Sequence, residues 1–193
     1  MGNNGDAPGP VLRVLGIPGS LRQGSLNRAL LRAAAELAPD GLRIEIHDLR
    51  EVPLYDGDVE AAGDPPGVAA FKAAIREADA ILVACPEYNH GVPGVLKNAI
   101  DWASRPAGAS PLNGKPAGII GASPGLVGTA RGQAQLRQAF TFTNTSSMLQ
   151  PEVLVAQAHT RFDREGRLVD ETSRGFLAQY LAAFHAWLGR MRR

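Results

Sequence analysis

The chain carries a single cysteine, Cys85, in 193 residues. An internal disulfide framework is thereby excluded, and the composition fits a reducing compartment. No apolar stretch approaches the roughly 20 residues that a membrane-spanning helix needs. Neither sign of charge dominates: 20 Lys and Arg stand against 19 Asp and Glu, a formal net charge of +1. A global field that would draw in nucleic acid or an anionic membrane is therefore missing. The basic end, Arg190-Met191-Arg192-Arg193, reads as a solvated helix terminus favoured by the helix dipole. His47, His159 and His185 are scattered, with no pair at metal-ligand spacing, which disfavours a metal site. Internal repeats, low-complexity tracts and linkers are also lacking. Residues 1–10 are polar, rich in Gly, Asn and Pro, and without an apolar signal core, so a disordered tail is expected there. The remainder, residues 11–193, is long enough for one domain with a sizeable core. A cytoplasmic enzyme or binding protein fits these limits.

What is present is an alternation of apolar strands and amphipathic helices. Val11 to Ile17 is an apolar run that feeds a turn, Gly16-Ile17-Pro18-Gly19-Ser20-Leu21-Arg22-Gln23-Gly24-Ser25-Leu26-Asn27. A helix follows, with Leu26, Leu30, Leu31, Ala34 and Leu37 on one face. Leu42 to His47 alternates apolar and polar residues, as a strand with one wet face at a sheet edge does. Asp48 to Pro66, with its prolines, glycines and scattered acids, is expected to be largely loop. Gly67 to Ala78 places Val68, Phe71, Ile75 and Ala78 at helical spacing, and Ala80 to Cys85 is apolar without alternation, the mark of a doubly covered strand. Pro93 opens a third helix with Leu96, Ala99, Ile100 and Ala103 on one face. Ala117 to Ala122 forms another apolar strand, followed by the loop Ser123 to Gly128 and a helix to about Phe140. A fifth strand is expected within Ser147 to Ala156, restricted by Pro151. The last helix, from about Ser173 to Met191, carries Phe176, Leu177, Tyr180, Leu181, Phe184, Trp187 and Leu188.

This alternation predicts an α/β doubly wound parallel sheet of five strands in the order 2-1-3-4-5, with helices on both faces. The switch point then lies between strands 1 and 3, and the loops after strands 1, 3 and 4 converge there. Those loops are also the chemically marked ones. The first suits an anion: backbone N–H groups and the positive end of a helix dipole meet the hydroxyls of Ser20 and Ser25, the amide of Asn27 and the guanidinium of Arg22. A capped helix start, with Ser25 as N-cap and Arg22 in solvent, would use the same residues. The third-strand loop, Pro86-Glu87-Tyr88-Asn89-His90-Gly91-Val92-Pro93, has the fixed path that suits offering backbone groups to a flat ligand such as a flavin. Glu87 and Asn89 either support that loop or touch the ligand, and Tyr88 packs on an aromatic ligand or on a neighbouring subunit. His90 reads as an exposed loop residue ahead of a general acid.

Several further absences narrow the chemistry. Gly19-x-x-x-x-Gly24-Ser25 lacks the lysine of an ATP phosphate loop, and no G-x-G-x-x-G turn follows the first strand. No G-x-S-x-G elbow accompanies Ser20 or Ser123, which disfavours a hydrolase. Cys85 ends a buried strand and reads as a small core residue.

Four stretches then resemble the NAD(P)H-dependent FMN reductase family, most closely its chromate, quinone and azo-dye reductase branch: Gly19 to Asn27, Pro53-Leu54-Tyr55-Asp56, Pro86 to Trp102, and Gly121 to Gln138. The resemblance implies a flavodoxin-like fold. It implies that Ser20, Arg22, Ser25 and Asn27 hold the FMN phosphate. Pro86, Glu87, Tyr88 and Asn89 would line the ribityl chain and isoalloxazine, with Ser123 and Gly125 closing the site. Two positions depart from the pattern: Pro18 stands where a hydroxyl residue is common, and Thr129 where glycine is frequent, beside the expected nicotinamide side.

The expected activity is that of an FMN-dependent oxidoreductase. NADPH or NADH passes a hydride to FMN N5, and a small-molecule acceptor such as a quinone, chromate, an azo compound or a ferric complex then takes the electrons, by ping-pong kinetics. No catalytic side chain is assigned, since the cofactor carries the chemistry. A homodimer or homotetramer is expected by the same resemblance, with neither nucleic acid nor membrane as partner. The rival reading is a non-enzymatic electron carrier of flavodoxin type; such carriers are strongly acidic, and a net charge of +1 argues against it.

Overall fold

The structure, a computed structural model, describes residues 10–192. The tail expected over residues 1–10, save Pro10, and the final Arg193 lie outside the described residues. Among the described residues, six strands and six α-helices run in the order β1 (Leu12–Pro18), α1 (Leu26–Glu36), β2 (Leu42–Ile46), α2 (Gly57–Ala62), α3 (Pro66–Glu77), β3 (Ala80–Ala84), α4 (Gly94–Ala103), β4 (Pro116–Ala122), α5 (Ala130–Phe142), β5 (Ser146–Ser147), β6 (Val153–Val155) and α6 (Glu171–Met191), with a 3-10 turn at Ala158–Thr160. The sheet is parallel in the order β2-β1-β3-β4-β5, with β6 also paired to β4. This is the doubly wound, flavodoxin-like order, with its switch point between β1 and β3.

Strand alternation divides the core into two layers. Leu12, Val14, Leu82, Ala84 and Ile120 face α1 and α6, where Leu30, Leu31, Leu177 and Phe184 cover them. Leu15, Ile17, Ile81, Val83 and Ile119 face α3, α4 and α5, covered by Phe71, Ile75, Leu96 and Leu136. Each such Val, Leu, Ile or Phe side chain, fully withdrawn from water, contributes about 1.5–3 kcal/mol of transfer free energy. β2, at the sheet edge, buries Leu42 and Ile44 on one face and exposes Arg43 and Glu45 on the other, which is why its sequence alternates.

Three details differ from the sequence expectation. The stretch from Asp48 to Pro66 contains α2, a six-residue helix capped by the Asp56 side chain and burying none of its residues. With no apolar face to bury, it leaves no periodicity to read. The fifth position of the sheet is filled by two short strands, β5 and β6, on either side of Pro151. Phe176, assigned to the buried face of the last helix, is 61% exposed.

The break between β5 and β6 is repaired by a side chain. β5 pairs with β4 at Pro116 and Ala117, and β6 pairs from Ile120 onward. Ile119 falls between, and its N–H donates instead to the buried Tyr180 hydroxyl of α6 at 2.8 Å. Gly118 makes room for it: a Cβ there would lie 2.6 Å from the Tyr180 oxygen.

Pro18 also finds its reason in the ladder. The Gly16 carbonyl accepts from His47 on the β2 side, and the Gly19 N–H donates to Ala84 on the β3 side. Position 18 shares the direction of position 16, where the last β1–β2 pair has already formed. A proline there forfeits no ladder hydrogen bond.

Candidate active site

The carboxyl ends of β1, β3 and β4 open into one cleft lined by Ser20, Arg22, Ser25, Leu26, Asn27, Pro86, Glu87, Tyr88, Ala122, Ser123 and Pro124. Eight of the ten residues expected at the site are in that lining. Asn89 and Gly125 are not. Gly19 lets the first two loops meet, since a Cβ there would fall 2.6 Å from the Pro86 ring and 3.0 Å from the Ala84 carbonyl.

In the loop after β1, Ser20 is buried, and its hydroxyl lies 3.3 Å from the Tyr88 hydroxyl and accepts from the Arg22 N–H at 3.3 Å. Residues 22–25 close a turn through Ser25 N–H to Arg22 carbonyl, 3.1 Å. Arg22 folds its guanidinium back onto the Gly24 carbonyl at 2.8 Å. Ser25 is the N-cap of α1, accepting from the Arg28 N–H at 3.2 Å. The N–H groups of Leu26 and Asn27 have no acceptor among the described residues, as the first turn of a helix dictates. That turn contains no acidic residue, so the positive end of the dipole stays unneutralised. A charged fork, two hydroxyls and orphan N–H groups around one concavity are the donor set that a phosphate ester needs.

Asn27 works differently from its neighbours. Its amide donates to the Ala122 carbonyl at 2.8 Å and its oxygen accepts from the Ala122 N–H at 2.9 Å. β3 has left the sheet by this point, its last bond being Cys85 N–H to Ile120 carbonyl. The Asn27 side chain takes the place of the next peptide of β3 and pins α1 to the end of β4.

The loop after β3 is braced internally. The Glu87 carboxylate accepts from the N–H groups of Arg131 and Gly132 at 2.9 and 3.1 Å, capping α5, with the Arg131 guanidinium at 3.5 Å. Burial alone would push this carboxyl up; the two N–H bonds and the Arg131 charge together outweigh it and hold it below the usual range. Tyr88 and Gly91 pair across a two-residue turn in which Asn89 (φ 52°) and His90 (φ 63°) are both left-handed. That is the geometry of a type I′ hairpin, made without glycine at either central position. Tyr88, 53% exposed, stands at its base over the cleft.

The β4 loop closes the third side. The Gly125 N–H donates to the Ser123 hydroxyl at 3.1 Å and its carbonyl accepts from Gln157 at 3.0 Å, so Gly125 shapes the loop that presents Ser123. Thr129 does not face the opening: it is fully buried against Gly121 and accepts from Gln133 at 3.1 Å. Cys85 is buried, donates to the Pro86 carbonyl, and is pushed up to about 12 by burial and by the nearby Glu87 charge. It is no thiolate at neutral pH. Among the described residues, no group of three or more His, Cys, Asp or Glu could hold a metal ion, and no helix is long and apolar enough to cross a membrane.

Sequence reasoning missed the lining contributed by Leu26, Ala122 and Pro124, each adjacent to a marked residue. None of Pro53-Leu54-Tyr55-Asp56 lines the cleft. The Pro53 carbonyl accepts from Asn98 and Trp102 at 2.7 and 2.9 Å, and the Tyr55 N–H donates to Asn98 at 2.8 Å. Two of the four resemblance stretches therefore recognise each other, α4 against the loop before α2.

Comparison with known proteins bears on the whole cleft. Residues 12–160 match the family described as NADPH-dependent FMN reductase. The chain is 50% identical over 181 residues to an NAD(P)H-dependent FMN reductase of Pseudomonas aeruginosa, covering 94% of this chain and 97% of that protein. It is 42% identical over 178 residues to a 2-hydroxy-1,4-benzoquinone reductase of a Burkholderia species, covering 92% and 96%. Among solved structures it resembles FerB, a flavoenzyme NAD(P)H:(acceptor) oxidoreductase of Paracoccus denitrificans, with a TM-score of 0.86, 37% identity and coverage of 94% and 99%.

Proposed function

The chain belongs to the NADPH-dependent FMN reductase family, and from that premise we propose how its cleft is used. It is an FMN-dependent, NAD(P)H-consuming oxidoreductase of small-molecule acceptors, with quinone reduction as the activity its relatives' names support. FMN, when bound, supplies the chemistry, taking a hydride from the nicotinamide and passing electrons to the acceptor.

The observation that carries the site assignment is the unneutralised N-terminus of α1, surrounded by Arg22, Ser20 and Ser25 and facing the Pro86–Tyr88 wall. The Arg22 guanidinium, the two hydroxyls and the orphan N–H groups hold the phosphate. Hydrogen bonds with charged partners contribute about 1.5–3 kcal/mol each, and the helix end about 0.3–1 kcal/mol. Several such bonds supply much of the roughly −8 kcal/mol of micromolar affinity. Pro86 and Tyr88 give the flat part of the cofactor an apolar wall, with Glu87 and Asn89 fixing the path of that wall. Ser123, presented by Gly125, closes the β4 side, and Asn27 keeps that side in register with the phosphate turn.

Quinones are the proposed principal acceptor, with chromate, azo compounds and ferric complexes as others. The reaction is proposed to be ping-pong at one face of the cofactor, in a cytoplasmic homodimer or homotetramer whose second subunit helps cover the open cleft. A visible spectrum is the test. The purified protein should show an FMN band that bleaches on NADPH without oxygen and returns on adding a quinone. A colourless protein that ignores added FMN would overturn the site assignment. Double-reciprocal plots should be parallel, and intersecting lines would overturn the ping-pong order.

A further inference from the structure

Beside the phosphate turn lies a charged cluster with no assigned role. Asp48, in the loop after β2, accepts from the Arg28 guanidinium at 2.8 Å, the Arg50 N–H at 3.0 Å and the Arg50 guanidinium at 3.3 Å. The other terminal nitrogen of Arg50 donates to the Leu21 carbonyl, inside the turn. Arg50 thus bridges the loop after β2 to the loop after β1 without lining the cleft itself.

Peptide geometry gives this contact its consequence. The Leu21–Arg22 peptide is planar and trans, so its carbonyl and its N–H point to opposite sides. With the carbonyl turned outward to Arg50, the Arg22 N–H turns inward, where it meets the Ser20 hydroxyl in the cleft at 3.3 Å. That distance is long for an N–H donor, and an anionic oxygen is the stronger acceptor. We propose that Arg50, anchored by Asp48, is a positioning residue that aims the Arg22 N–H into the site so that it binds the phosphate of the flavin nucleotide. The proposal rests on the phosphate assignment made above. The arginine fork suits this bridge because it reaches the carboxylate and the carbonyl at once in a fixed plane, which the single ammonium of lysine does not.

The test compares FMN with riboflavin, which lacks the phosphate, by flavin-fluorescence titration of the full-length chain stripped of cofactor. Arg50→Ala should weaken FMN about tenfold or more and leave riboflavin within about twofold, on the scale of one hydrogen bond to a charged group. The selective loss should persist at about 0.5 M salt, where the through-space attraction of a distant charge is screened. Arg50→Lys should recover only part of it. Asp48→Asn, which frees Arg50 from its anchor while preserving shape, should give a smaller, several-fold loss in the same direction, and stands in should Arg50→Ala not fold. Equal losses for the two flavins, no loss, or a loss that vanishes in high salt would each overturn the role of Arg50. Arg22→Ala separates the two levels. If it discriminates FMN from riboflavin and Arg50→Ala does not, Arg50 alone is wrongly placed. If Arg22→Ala weakens both flavins equally, the phosphate assignment falls and takes the positioning role with it.

Discussion

The loops after β1 and β3 both bring polar residues to the cleft and are opposite in how those groups are engaged. The loop after β1 holds its turn with a backbone bond, one bond from the Arg22 guanidinium to Gly24 and a contact from Arg50, leaving the other guanidinium donors, two hydroxyls and orphan N–H groups at the cleft. The loop after β3 turns its one carboxylate inward, where Glu87 caps α5, and takes its shape from a left-handed hairpin tip. The first loop is a set of donors awaiting an acceptor; the second is a braced wall. A polar residue in a site loop thus belongs to the ligand only where the fold has not already satisfied it.

This contrast can be broken in four places. The largest effect is expected at Asn27, which looks like a ligand donor and acts as a strut. Asn27→Ala leaves the Ala122 N–H and carbonyl unpaired at a buried junction, and denaturant unfolding should show a loss of about 2–4 kcal/mol. Arg22→Ala should leave unfolding nearly unchanged while weakening FMN by about 1.5–3 kcal/mol, roughly 10- to 150-fold, with riboflavin binding little altered. In the braced loop, Glu87→Gln should cost about 1–2 kcal/mol of stability at neutral pH. Its pH dependence has a definite sign. The folded-state carboxyl sits below its ordinary value of 4.5, so its contribution is complete above that pH and is lost as pH falls through the folded value. Melting temperatures of Glu87→Gln should accordingly fall less steeply than those of the parent below about pH 4.5. The smallest change is a gain: His90→Gly relieves a left-handed non-glycine residue in the hairpin tip and should raise stability by about 0.5–1 kcal/mol.

The framework was legible because burial writes itself as hydropathy. β3 and β4, covered on both faces, read as unbroken apolar runs, and edge strand β2 as an alternation. The turn after β1, proposed to hold the phosphate, stood out because its polar residues are neighbours in sequence. What escaped involved partners far apart or surfaces not buried. Asn27 meets Ala122 across 95 residues, and Arg50 meets Leu21 across 29, so neither pairing leaves a local pattern. The charged loop after an edge strand beside a switch point was the available hint of Arg50. Thr129 read as a departure from the family pattern beside the expected nicotinamide side, yet its side chain fills the space left open by Gly121, a complementarity visible only in the packing.

The tyrosine that bridges the interrupted sheet makes the Ile119 amide a reporter of helix docking. In an unbroken ladder, release of that proton would track the separation of two strands. Here its acceptor belongs to α6, so solvent exchange at this central-strand position requires the last helix to lift, whatever the edge strands do. Deuterium uptake at one amide would then time the undocking of a helix from a strand otherwise held fast between β3 and its short partners.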